Sequence, residues 1–139
     1  MTRSSHQSRS TAETTVELDL ELDGSGAAKA STGIPFFDHM LEQLGKHGGF
    51  DLTIDAQGDL DVDTHHTVED VGIVFGTALK EALGDKVGVR RFADSLVPLD
   101  EALVQVALDL SGRPFLVYEV DPVAAVSYTH LTLPTILRV

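Results

Sequence analysis

Cysteine is missing from all 139 residues, which excludes disulfide scaffolds, thiolate zinc sites and cysteine nucleophiles together. No apolar run is long enough to cross a bilayer. The opening MTRSSHQSRS also lacks the apolar core of a secretory signal, so residues 1–10 are expected to be a loose cytoplasmic N-terminus. Positive charge is scarce: ten Lys and Arg stand against 22 Asp and Glu, a net charge of −12. That balance argues against nucleic acid or an anionic membrane as a partner. An anionic small substrate would have to be met by local positive charge. What the chain does have is 42% hydrophobic residues, enough for one domain with a core.

Against that background one stretch stands out, Asp59-Leu60-Asp61-Val62-Asp63-Thr64-His65-His66-Thr67-Val68-Glu69-Asp70, which crowds two adjacent histidines among carboxylates. From Val68 onward, Val71, Val74, Phe75, Ala78, Leu79, Ala82 and Leu83 recur with a helical period, and Gly84 follows as a stop. The histidines therefore belong to a helix's first turn. His65 and Glu69 are one turn apart on one face, and His66 points about a quarter-turn away. One ion cannot easily take both imidazoles, so the spacing suggests two metal positions, one using His65 with Glu69 and one using His66. Nitrogen and carboxylate donors without thiolate suit zinc, manganese or iron(II). The plainer alternative is a solvated helix start capped by Asp63 or Thr64, with acids drawn to the helix dipole.

Elsewhere the pattern is structural. Residues 15–23 alternate, with Val16, Leu18, Leu20 and Leu22 on one face and acids on the other, which predicts a half-buried antiparallel strand. Gly24-Ser25-Gly26 is read as a hairpin turn into a second strand over 27–31. Pro35 suits the first turn of a short helix whose buried stripe is Phe36, Phe37, Met40, Leu41 and Leu44, ending at Gly48-Gly49. Asp38 and His39 stand near its start and His47 near its end. Residues 50–55 alternate as another strand. Residues 85–92, with Lys86, Arg90 and Arg91, read as a solvated loop on composition alone. Strands over 102–110 and 115–120 flank Ser111-Gly112-Arg113-Pro114, a second hairpin that echoes the first. Aligning Ser25-Gly26 with Ser111-Gly112 gives an offset of 86 residues. A copy of the His-His-x-x-Glu motif at that period would fall at 151–155, beyond Val139. The second unit thus has its strands and lacks its helices.

Arg9-Ser10-Thr11-Ala12-Glu13-Thr14, Thr32-Gly33-Ile34-Pro35-Phe36-Phe37-Asp38-His39-Met40-Leu41, Asp63-Thr64-His65-His66-Thr67-Val68-Glu69-Asp70, Pro98-Leu99-Asp100-Glu101-Ala102-Leu103 and Leu108-Asp109-Leu110-Ser111-Gly112-Arg113-Pro114 occur in that order. With these motifs the chain resembles the imidazoleglycerol-phosphate dehydratase family of histidine biosynthesis, over roughly residues 9–120. Two positions depart from the family's pattern, Leu99 where Met is usual and Phe92 where Tyr is common.

The resemblance implies an α+β fold of tandem sheet-and-helix units, ribosomal-protein-domain-like, with the first unit over 11–90 and the start of a second over 91–125. It implies a cytoplasmic hydro-lyase removing water from imidazole glycerol phosphate, with two Mn2+ per complete site and an assembly of twenty-four identical subunits. His39 and His66 match ligands of one metal, and His65 and Glu69 serve the other. His65, His66 and Glu69 also carry the catalytic role, while Glu13, His39, His47, Arg91 and Arg113 match substrate-contacting positions. Guanidinium groups at Arg91 and Arg113 suit a phosphate. Residues 126–139 fit no part of the family and resemble the translation of an adapter used in DNA library preparation, a tail to set aside; a C-terminal strand is the alternative. A half-length metal-binding module, or an inert fragment without turnover, are the other expectations for a chain of this length.

Overall fold

The computed structural model describes residues 3–119; the stretch 126–139 lies outside the described residues. The elements run β1 (Ser4–Ser10), β2 (Thr14–Glu21), β3 (Ala28–Ser31), α1 (Pro35–Gly48), β4 (Asp51–Gly58), α2 (His65–Leu83), β5 (Phe92–Leu99) and β6 (Ala102–Asp109). The first six form an α+β unit, a four-stranded sheet in the order β1-β2-β4-β3. The last two form a separate antiparallel ribbon.

The alternation along β2 sets the layers. Val16 and Leu18 are fully buried and Leu20 nearly so, while Glu17, Asp19 and Glu21 do not join the core. β4 adds Leu52, Ile54 and Ala56 to the same face, and α2 covers it with Val71, Val74, Phe75, Ala78 and Ala82. Burying each of these larger apolar side chains contributes about 1.5–3 kcal/mol. The period-2 face of the strands and the 3.6-period face of the helix thus meet as two layers.

Four expectations change. The stretch expected to be loose is ordered over Ser4–Ser10, an edge strand paired along its whole length with β2. Its polar side chains conceal it, and it is tied down by Ser5, whose hydroxyl donates to Glu81 on α2 at 2.9 Å. Gly24-Ser25-Gly26 does not close a hairpin, because β4 inserts between β2 and β3 and pairs with β3 in parallel. The Asp51 carboxylate collects the freed turn by accepting from the Ser25 and Ala27 amides at 2.7 and 2.9 Å. On α1 only Leu41 and Gly45 are buried, while Phe36 is 74% exposed and Met40 and Leu44 are also open. The helix rests on β3 through Gly45, where an added Cβ would come within 2.6 Å of the Ala28 Cβ. So narrow a contact leaves the rest of the stripe uncovered.

The fourth change concerns the second unit. The partner of β6 is β5, upstream of it, and residues 115–119 are not a strand. β5 begins at the last residue of the expected 85–92 loop and runs through a stretch given no element, where Pro98 argues against a strand; among the described residues the ribbon has no further neighbour to be denied a hydrogen bond there. Both strands are exposed along their length.

This ribbon repeats the β1–β2 hairpin. Ser4 pairs with Glu21 and Ser10 with Thr15; Phe92 pairs with Asp109 and Pro98 with Leu103. Beyond the first pair the Leu22 amide donates to the Arg3 carbonyl at 2.9 Å, and the Leu110 amide to the Arg91 carbonyl at 3.0 Å. Every one of these positions is displaced by 88 residues, a fixed offset of the kind that marks a tandem repeat, so the 86-residue offset is two residues short. A slip of two residues keeps every side chain on its own face, and the apolar pattern alone cannot detect it.

Candidate functional site

Because β3 and β4 are parallel neighbours, the helices that follow them both start at the same end of the sheet. There Leu60 packs against Gly33, its Cδ1 within 2.7 Å of where a Cβ would stand, and brings the acidic approach beside the start of α1. The end of β4 is pressed onto α2: a Cβ on Gly58 would overlap the Thr67 hydroxyl and come within 3.2 Å of the Thr14 methyl. Asp63 accepts from the His65 amide at 2.8 Å, satisfying one of the orphan donors of the helix's first turn.

The motif around Arg9 fastens the third side. Asp70, buried on α2, accepts from Arg9 Nε at 2.9 Å and from the hydroxyls of Thr14 and Thr11. A buried carboxylate needs such partners. Their effect is to lock the β1–β2 tip, which carries exposed Glu13, over the first turns of α2.

On this frame the two imidazoles part as their spacing predicts. His65 Nε2 lies 3.0 Å from Glu69 Oε2. His66 Nδ1 lies 3.1 and 3.0 Å from the two oxygens of Asp59. The rings meet edge to face, their centroids 5.6 Å apart. The hydrogen bond to Asp59 holds the His66 pKa above the ordinary imidazole range, helped by the charges of Asp59, Glu13 and Asp63 and opposed by partial desolvation.

Among the described residues no three His, Asp or Glu side chains are grouped closely enough to hold a metal ion. The donors come in pairs. With bonds of about 2.1 Å, two ligands at right angles on one ion stand about 3 Å apart, the separation of His65 Nε2 and Glu69 Oε2. These residues therefore fit part of a coordination sphere, with nitrogen and carboxylate donors suited to manganese, zinc or iron(II).

The remaining expected site residues do not join this cluster. His39 is exposed on α1. His47 is two turns further along, about 12 Å at 1.5 Å per residue, and meets Gln43 Oε1 at 3.0 Å. Arg91 forks onto Asp109 at 2.7 and 3.2 Å and stacks over Phe92. Arg113 lines a concavity of about 750 Å³ bounded by Leu79, Leu108 and residues 113–117, apart from the histidines. Asp59 is the residue that motif reading left without a role; seven positions separate it from His66 across a loop and a helix start, a spacing with no periodic signature.

A family model described as imidazoleglycerol-phosphate dehydratase matches residues 32–133. An imidazoleglycerol-phosphate dehydratase of Parafrankia sp. (strain EAN1pec) is 65% identical over 122 residues, 88% of this chain and 62% of that protein. One from Frankia casuarinae is 58% identical over 134 residues, 96% of this chain and 69% of that protein. Among solved structures, the dehydratase from Staphylococcus aureus subsp. aureus N315 superposes with a TM-score of 0.69 at 35% identity, covering 81% of this chain and 60% of the other. The one from Pyrococcus furiosus gives 0.74 at 30% identity, covering 95% and 71%. The chain thus spans a little over three-fifths of the first of these relatives. A motif series matched in order, the parallel β3–β4 step that gathers two helix starts, and this agreement over most of the chain lead to one conclusion: the chain belongs to the imidazoleglycerol-phosphate dehydratase family.

Proposed function

We propose that this chain is a portion of a manganese-dependent hydro-lyase that removes water from imidazole glycerol phosphate, giving imidazole acetol phosphate in L-histidine biosynthesis. The observation that carries this reading is the His65–Glu69 pair at 3.0 Å beside His66, on the first turns of one helix. In this reading residues 11–90 are the first unit, 91–125 begin the second, and 126–139 are an added tail. The full-length protein is a cytoplasmic homo-oligomer in which neighbouring subunits or units complete each site.

The chemistry explains the donor set. The proton to be lost sits on a carbon that no carbonyl acidifies, so the substrate's imidazole must accept the electrons. Two Mn2+ ions would supply positive charge at that ring; His65 and Glu69 would hold one, His66 and His39 the other. Glu13, whose charge acts on His66, faces the substrate from the β1–β2 tip. His65, His66 and Glu69 fix the orientation of the ring, and orientation alone is worth several kcal/mol of barrier, about 7–11 in favourable intramolecular cases. His47, Arg91 and Arg113 contact the substrate, the arginines as phosphate anchors.

A second reading, a metal-binding module without turnover, is favoured by the arrival of donors in pairs and by Arg91 being engaged with Asp109. Calorimetric titration with Mn2+ tests the shared element. Uptake by the chain that is lost in His65→Ala/His66→Ala is expected; equal weak binding by both proteins refutes the metal reading. Imidazole acetol phosphate formation by the full-length, manganese-loaded protein then separates enzyme from module.

A further inference from the structure

We propose that Asp59 is a positioning residue that fixes the tautomer and ring direction of His66, a role that rests on the metal reading above. Both Asp59 oxygens face the same nitrogen, Nδ1, at 3.1 and 3.0 Å. A carboxylate can only accept, so in the neutral ring Nδ1 carries the proton and Nε2 keeps its lone pair. A histidine that ligates through one nitrogen is held by a hydrogen bond from the other, and such partners set both tautomer and angle.

The backbone places Asp59 for this task. Gly58 is pressed against Thr67 and Thr14, so the chain leaves β4 directly over the first turn of α2. The Val62 amide donates to the Asp59 carbonyl at 2.8 Å, closing a turn that points the carboxylate back at the helix. Leu60, packed at Gly33, keeps the turn from swinging out. The Asp59 side chain is 27% exposed and that of His66 42%, so the pair is partly withdrawn from water while leaving ring surface open. His65 meets Glu69 through Nε2. The two imidazoles thus reach a ligand by different routes: His65 together with a carboxylate that also ligates, His66 through a carboxylate behind it.

The test uses this chain with 15N-labelled histidine, observed by long-range 1H–15N NMR at a pH above the imidazole range. His66 is expected to show a protonated Nδ1 and an unprotonated Nε2. In Asp59→Ala the His66 ring should move to a mixture dominated by the Nε2–H form, and Zn2+ affinity, with zinc as a diamagnetic probe, should fall about 10–100-fold. Asp59→Asn, which keeps an acceptor oxygen, should restore the Nδ1–H form and most of the affinity. An Nε2–H tautomer in the unsubstituted chain overturns the proposal even if the alanine variant does not fold. So does an unchanged tautomer in a folded Asp59→Ala. If the tautomers behave as stated and the unsubstituted chain takes up no zinc, the metal reading fails and the positioning role falls with it.

Discussion

Substituting Gly58 with alanine should disturb the candidate site from behind, without touching a proposed ligand. An added Cβ would overlap the Thr67 hydroxyl, lie 3.3 Å from the Thr67 Cβ and 3.2 Å from the Thr14 methyl. Thr67 is fully buried on the turn of α2 that carries His65 and His66. Its hydroxyl is also without a hydrogen-bond partner, so nothing is gained by holding it where it is. Overpacking of this kind costs about 1–3 kcal/mol. A strand alanine recovers about 0.5–1 kcal/mol relative to glycine through the unfolded chain, leaving a net loss of about 1 kcal/mol at mid-range and about 2.5 at most.

Thr67→Ala removes the overlapping oxygen. By itself it should be close to neutral, because losing a buried methyl costs about 1 kcal/mol and removing an unsatisfied buried hydroxyl returns about as much. Combined with Gly58→Ala it should recover at least half of the lost stability, the two remaining contacts needing shifts of a few tenths of an ångström. Urea unfolding followed by circular dichroism at low protein concentration gives the double-mutant cycle. A Gly58→Ala chain as stable as the parent, or a double variant no better than Gly58→Ala, would refute the packing argument.

Two further outcomes follow from the exposed surfaces. The ribbon leaves Leu96, Val97, Leu103, Val104 and Val106 more than half exposed, a patch of the kind that drives association; sedimentation should show self-association that Val104→Lys/Val106→Lys reduces, and a clean monomer of the unsubstituted chain would contradict this. Asp51 has its pKa lowered by the backbone donors Ala27 and Ser25, so its contribution to stability is present above the unfolded value of 3.8 and is lost as pH falls through the lower folded value. Asp51→Asn should therefore flatten the acid side of the stability–pH curve below about pH 4, and an unchanged acid limb would show that the carboxylate does not hold the 24–27 turn.

How far the fold could be read depended on where each element is buried. β2 and α2 were legible because each has one covered face, and a covered face writes its period into the sequence. β1 was not, because its exposed positions are serine, histidine and arginine and its anchors are hydrogen bonds to Glu81 and Asp70. The parallel placement of β3 was hidden for another reason. Strand order is set by which neighbour supplies the longer ladder, and β2 pairs with β4 over eight residues while β3 offers only four. At the site, the separation of His65 from His66 followed from helical geometry, and Glu69 with it. Asp59 did not, since its contact crosses a loop.

The displacement of 88 residues between the two hairpins carries the sharper lesson. It lays Arg3 on Arg91, Val16 on Val104, Leu20 on Leu108 and Leu22 on Leu110, and it lays Glu13 on Glu101 at the tips of both hairpins. In the first unit the core face of this hairpin, Val16, Leu18 and Leu20, is sealed by α2. In the second, the matching positions are open: Val104 and Val106 are more than half exposed and Leu108 is 37% exposed. Among the described residues the same strand pattern is thus present twice, with a sealing helix on the first hairpin only. The sequence reading recognised β6 as an echo of β2, two residues out in register, but gave it the wrong partner, 115–120 in place of β5. The tip glutamate follows from the hydrogen-bonded ladder, because only the ladder distinguishes a register from its two-residue neighbour.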